Sequence, residues 1–212
     1  MYKDIYYDDI FFNPTGLKHA QKLITSENYY KRIIEKSYHI YKKLEIIETD
    51  TLLDIGSGLG DVGKNFSKIS KQVYCCDINQ NFLNMAEINC QNRNNISFYK
   101  IIDFDTPLNF LKDSSITKAY ASEVFVHCYI DTIINYLKEL KRVLKPNGLF
   151  LFEYCIESSR SIFIPIDKNK LEDAINKLNF NIIKSEPFTT HTDKNFNGIK
   201  LLLSKEYHET KI

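Results

Sequence analysis

The residues with the clearest chemical potential lie in Asp54-Ile55-Gly56-Ser57-Gly58-Leu59-Gly60, where an apolar run ends in three alternating glycines just before a helical pattern. Glycines at such a turn let the backbone fold back sharply. They also let a ligand lie against bare peptide groups, with N–H donors at the helix start aimed at its oxygens. Asp77 closes the next apolar run, with Ile78 beside it. At that place in a doubly wound sheet an acid accepts hydrogen bonds from both hydroxyls of a ribose. A third run ends in Ile101-Ile102-Asp103-Phe104, where Asp103 offers an acceptor to an adenine amino group and Phe104 a flank for the ring. The set reads as a nucleoside site.

Two kinds of nucleoside cofactor compete for it, because Gly58-Leu59-Gly60-Asp61-Val62-Gly63 also satisfies the dinucleotide pattern G-x-G-x-x-G. In that pattern the first glycine follows the strand directly, and read from Gly56 it fails, since Asp61 stands where the third glycine belongs. The acid Asp54 would repel a pyrophosphate, whereas it suits a sulfonium cation carrying an amino group.

The elements that must hold these residues follow from periodicity. From Thr51 onward, short apolar runs alternate with helical periods, the rhythm of β-α-β units and a parallel sheet covered on both faces. Strands are expected over Thr51 to Ile55, Gln72 to Cys76, Ile96 to Ile101, Lys118 to Ala121, Leu149 to Tyr154, Phe180 to Glu186 and Ile199 to Ser204, the last two as a hairpin-like pair. Helices are expected from Asp61, from an Asn79 cap, along Ile133 to Leu144 and from an Asp167 cap. Ahead of them, a helix opening near Ser26 turns Tyr30, Ile33, Ile34, Ser37, Tyr38 and Tyr41 to one face. The expectation is an α/β fold, a Rossmann-like, seven-stranded, mostly parallel sheet flanked by helices. It forms one domain, with an N-terminal helical lid over residues 1–48, a cofactor-binding core over 49–155 and a substrate-side loop, helix and strand pair over 156–212.

The glycine turn with Asp54, then Asp77, Asp103, Ala121-Ser122-Glu123-Val124-Phe125-Val126-His127 and Leu144-Lys145-Pro146-Asn147-Gly148 resemble successive motifs of the class I S-adenosylmethionine-dependent methyltransferases. The resemblance implies S-adenosyl-L-methionine as cofactor and S-adenosyl-L-homocysteine as product. Asp54, Gly56, Ser57, Gly58 and Gly60 would border the methionine part, Asp77 and Ile78 the ribose, Asp103 and Phe104 the adenine, and Ser122 the floor near the reactive methyl. His127 titrates near neutrality and follows an acid, Glu123, by four residues, so it is the candidate base, both groups facing one side if a helix starts there. A fainter resemblance to phosphoethanolamine methyltransferases, carried by the glycine turn and Glu153-Tyr154-Cys155, implies that Tyr6 or Tyr7 closes the site as a lid, with Tyr7 joining the catalytic set. That family has Asp where Glu123 stands, and its phosphobase-binding insert has no match after Cys155.

The expected reaction is methyl transfer to a small molecule at oxygen, with Tyr6 and Arg160 on the substrate side. Alternatives are transfer to a small amine or phosphobase, and a partner subunit that binds the cofactor without catalysing. Nucleic acid is not expected as a partner: Lys and Arg total 28 against 27 for Asp and Glu, a net charge of +1, and Ser122-Glu123-Val124-Phe125 replaces the Asp/Asn-Pro-Pro-aromatic of amino-methyltransferases that act on it. The acidic start and the lack of a long apolar run point to a cytoplasmic protein without membrane contact. Five cysteines without C-x-x-C spacing suggest reduced core thiols, and no metal is expected.

Overall fold

The computed structural model of the chain describes residues 27–190 and 193–206. In chain order the elements are α1 (Glu27–Leu44), β1 (Thr51–Ile55), α2 (Asp61–Phe66), β2 (Gln72–Asp77), α3 (Gln80–Asn89), β3 (Ile96–Lys100), β4 (Ile116–Ala121), a 3₁₀ turn (Phe125–His127), α4 (Ile130–Val143), β5 (Leu144–Glu157), α5 (Lys168–Lys177), β6 (Phe180–Phe188) and β7 (Asn197–Lys205). Seven strands form one sheet in the order β3-β2-β1-β4-β5-β7-β6. Pairings from β3 to β5 are parallel, and β7 runs antiparallel between β5 and β6.

Strand periodicity explains why both faces need helices. Leu53, Ile55, Ala119, Ala121, Phe150 and Phe152 are buried with Ile133, Leu137 and Leu140 of α4 and Leu171 and Ile175 of α5. The alternate residues Leu52, Val73, Cys75, Tyr120 and Leu151 are buried on the other face with Ile40 and Leu44 of α1 and Phe66 of α2. The expected caps are present: Asn79 Oδ1 accepts from Asn81 N and Phe82 N, and Asp167 Oδ1 from Asn169 N and Lys170 N. Helix α4 stops at Val143. Leu144 already pairs with Ile116, and the Pro146-Asn147-Gly148 bend becomes a bulge near the start of β5 rather than a free turn.

Helix α1 departs from the sequence expectation. Its inward residues are Ser37, Ile40 and Leu44, while Tyr30, Ile34, Tyr38 and Tyr41 are exposed. The rotation satisfies polar groups that the apolar pattern ignored: Tyr29 OH donates to Asp61 Oδ2 at 2.6 Å, and the Lys36 ammonium pairs with the Glu123 carboxylate. No described helix is long and apolar enough to cross a membrane.

Strand order reverses between β1 and β4. In open sheets of this kind the crevice outside the carboxyl ends of such strands is where ligands lie. The glycine turn leaves β1 there, and Ser122 to His127 leave β4.

Candidate active site

Gly56, Gly58 and Gly60 all take positive φ, at +68°, +52° and +74°. At Gly56 a Cβ would meet Val124 Cγ2 at 2.4 Å, so the turn after β4 packs directly on the bare backbone. At Gly58 a Cβ would meet nothing within 4 Å. Two cavities flank this ridge, and Gly56, Gly58 and Ser122 border both.

The smaller cavity, about 210 Å³, is lined by Asp54, Ser57, Asp61 and Tyr120 from the sheet side and by Tyr29, Arg32 and Lys36 from α1. Asp54 is almost fully buried, and its Oδ2, like Ser57 Oγ and Tyr120 OH, has no hydrogen-bond partner among the described residues. Burial pushes the Asp54 carboxyl up to about 7. A buried carboxyl oxygen without a donor is costly, and a ligand amino group would supply one.

The larger cavity, about 550 Å³, is bordered by Asp77, Ile78, Asn79, Phe82 and Phe104 at one end and by Glu123, His127, Tyr129, Thr132, Tyr136, Ile162 and Ile164 at the other. Asp77 accepts from Gly58 N at 2.8 Å on Oδ2 and from Asn79 N at 2.9 Å on Oδ1. Burial raises its pKa, and these backbone donors oppose the rise. Its carboxylate is therefore oriented by the turn and by the cap of α3, at the edge of the cavity.

His127 sits at the end of the 3₁₀ turn with Nδ1 2.6 Å from Ile162 O and its ring stacked on Phe163. A carbonyl only accepts, so Nδ1 carries the proton and Nε2 is the basic nitrogen of the neutral ring. Burial lowers the His127 pKa below 6.5, against the raising influence of the Ile162 hydrogen bond and the Glu123 charge. Glu123 is not on a helix shared with His127, as the four-residue spacing suggested; it stands before the 3₁₀ turn with φ at +61°. Burial pushes its pKa up, but the Lys36 charge and hydrogen bond outweigh this and hold it low. Its carboxylate is committed to α1 rather than to His127.

The structure thus brings Asp54, Gly56, Ser57, Gly58, Asp77, Ile78, Phe104, Ser122, Glu123 and His127 to the cavity walls. Three expected residues lie elsewhere. Asp103 is exposed and lines neither cavity; in its own turn Oδ1 accepts from Asp105 N and Oδ2 from Thr106 Oγ1. Gly60 caps α2, and a Cβ there would press on Ala86 and Phe98, which makes it a packing position. Arg160 is exposed and lines neither cavity, although Ser161 and Ile162 beside it do. Tyr6 and Tyr7 lie outside the described residues. Arg32 and Lys36 were missed, and their signal was present: Tyr29, Arg32, Ile33 and Lys36 recur at helical spacing on one side of α1. Among the described residues no group of three or more His, Cys, Asp or Glu side chains could hold a metal ion.

Residues 53–152 match the family model of a methyltransferase domain. A sterol 4-C-methyltransferase of Caenorhabditis elegans is 31% identical over 113 residues, covering 53% of this chain and 33% of that protein. An rRNA adenine N-6-methyltransferase of Clostridium perfringens is 30% identical over 94 residues, covering 43% and 36%. The matched stretch thus spans about a third of the length of these curated relatives. Among solved structures, the magnesium protoporphyrin IX methyltransferase of Synechocystis, with S-adenosylhomocysteine bound, shares the fold over 96% of this chain and all of that one, at a TM-score of 0.70 and 11% identity.

Proposed function

We propose that the chain is a class I S-adenosylmethionine-dependent methyltransferase, a reading supported by the methyltransferase-domain match over residues 53–152, and that it methylates a small molecule, at oxygen, with His127 as the base. One observation carries this reading: two cavities meet at Gly56, Gly58 and Ser122, a smaller one at which a buried carboxyl oxygen, Asp54 Oδ2, stands without a hydrogen-bond partner among the described residues, and a larger one lined mostly by apolar surface. The residues fit the cofactor. Asp54 and Ser57 offer acceptors to an amino group, Arg32 and Lys36 offer cations to a carboxylate, and Asp77 offers a carboxylate to vicinal hydroxyls. When bound, S-adenosylmethionine supplies a methyl group on a sulfonium, activated for displacement.

The chain's own contribution is then alignment, exclusion of water and removal of a proton. Tyr136, Ile162 and Ile164 present an apolar wall suited to the body of an acceptor. His127 Nε2, made basic by the Nδ1–H bond to Ile162 O, takes the proton of an acceptor hydroxyl. The match to rRNA methyltransferases carries less weight, since no lysine or arginine among the described residues lines the larger cavity and Ser122-Glu123-Val124-Phe125 lacks the Pro-Pro pair.

Calorimetric titration with S-adenosylmethionine and S-adenosylhomocysteine, followed by a screen of hydroxyl- and amine-bearing small molecules for release of the demethylated product, tests the reading. Binding to neither ligand overturns it. Turnover with amines alone moves the acceptor to nitrogen, and binding without turnover favours the non-catalytic partner subunit.

A further inference from the structure

Glu123 is a non-glycine residue in the left-handed region, with φ at +61°, inside the turn that carries Ser122 and His127. Such a conformation costs free energy and persists only where its surroundings hold it. What holds it comes from the next strand. Glu153 of β5, 2% exposed, accepts from Glu123 N on Oε2 at 2.9 Å and from Lys200 Nζ of β7 on Oε1 at 3.1 Å. Lys200 Nζ in turn lies 2.8 Å from His39 Nε2 of α1. The Glu123 side chain reaches α1 as well, through Lys36. Glu153 lines neither cavity, so it acts only through what it holds.

We infer that Glu153 is a positioning residue whose Oε2 locks the strained Glu123 backbone, setting Val124 on Gly56 and bringing Ser122 and His127 to the two cavities. The inference rests on the proposed function for its ligand readout but not for its geometry. Val124 touches the Gly56 backbone and Ser122 borders both cavities, so a relaxed turn alters the wall of each.

Two double variants separate the acceptor oxygen from charge balance. E153Q/K200M keeps an oxygen for Glu123 N and removes both buried charges. E153L/K200M removes the same charges, and its side chain offers no acceptor. With calorimetry against S-adenosylhomocysteine below the melting temperature of both, E153Q/K200M is expected to bind within about threefold of the parent and E153L/K200M about tenfold or more weaker. NMR titration of the His127 imidazole gives a ligand-free readout: its pKa stays below 6.5 in E153Q/K200M and moves up toward it in E153L/K200M. A parent chain that fails to bind S-adenosylhomocysteine speaks against the proposed function, and the His127 titration still decides the positioning role. Equal behaviour of the two variants in the imidazole titration and in any measurable affinity overturns the inference.

Discussion

Alanine at Gly56 should cost the protein more stability than alanine at Gly58. Both backbones are left-handed, so each substitution costs about 1–2 kcal/mol of folding free energy for a side chain in that region. At Gly58 nothing lies within 4 Å of the new methyl, and the cost stops there. At Gly56 the methyl would lie 2.4 Å from Val124 Cγ2 and 3.0 Å from Cγ1, and overpacking adds about 1–3 kcal/mol. With about 2–4 °C per kcal/mol for a domain of this size, Gly58→Ala should lower the melting temperature by roughly 2–8 °C and Gly56→Ala by roughly 4–20 °C. The Gly58 methyl stands on the border of both cavities, where a cofactor would lie against bare backbone, so Gly58→Ala should lose at least about tenfold in S-adenosylhomocysteine affinity. Scanning calorimetry and titration calorimetry on the two variants read both quantities. Equal melting temperatures would refute the packing argument, and unchanged affinity in Gly58→Ala would refute the placement of the ligand.

Asp54→Asn should steady the ligand-free protein at high pH while weakening cofactor binding. A carboxyl raised to about 7 by burial imposes no penalty below about pH 4, where it is protonated in both states, a penalty that grows from about pH 4 to about 7, and a constant one above, where it is ionised in both. Melting curves from pH 4 to 8 should therefore slope downward less in the variant than in the parent. Asp77→Ala removes the acceptor for Gly58 N and Asn79 N and should cost about 1–3 kcal/mol of ligand affinity by calorimetry. Asp103→Ala should leave that affinity within about twofold, since both its oxygens serve its own turn. Once an acceptor is found, the acidic limb of the rate profile should fall below pH 6.5, where burial places His127, and His127→Ala should slow turnover about 10²–10⁴-fold at saturating cofactor.

The sheet was legible in the sequence because β1, β2, β4, β5 and β7 each carry a run of buried residues and four of the gaps between strands a helical period, and Asn79 and Asp167 cap where their side chains announced it. The cavity residues of the glycine turn and Asp77 were legible for a related reason: special backbone geometry demands glycine, and the glycine turn ahead of it gave the acid at the end of β2 its meaning. Asp103 stands outside both cavities and caps its own backbone, a use to which an exposed acid in a turn is equally suited. Helix α1 misled because its tyrosines look apolar by composition, whereas its placement follows the partners of Tyr29 and Lys36, far away in the chain. The left-handed Glu123 left no local mark. Only contact with a strand about thirty residues onward reveals it.

The position of β7 has a consequence for how the chain is made. It lies between β5 and β6, yet it is the last of the three to be synthesised. Until Lys205 has emerged from the ribosome, the long outer edge of β5 stands with open N–H and C=O groups, and β6 has no sheet to join. A nascent chain paused in the interval displays a template for strand pairing with its neighbours. A chain cut before Asn197 should therefore aggregate more than one cut after Glu206.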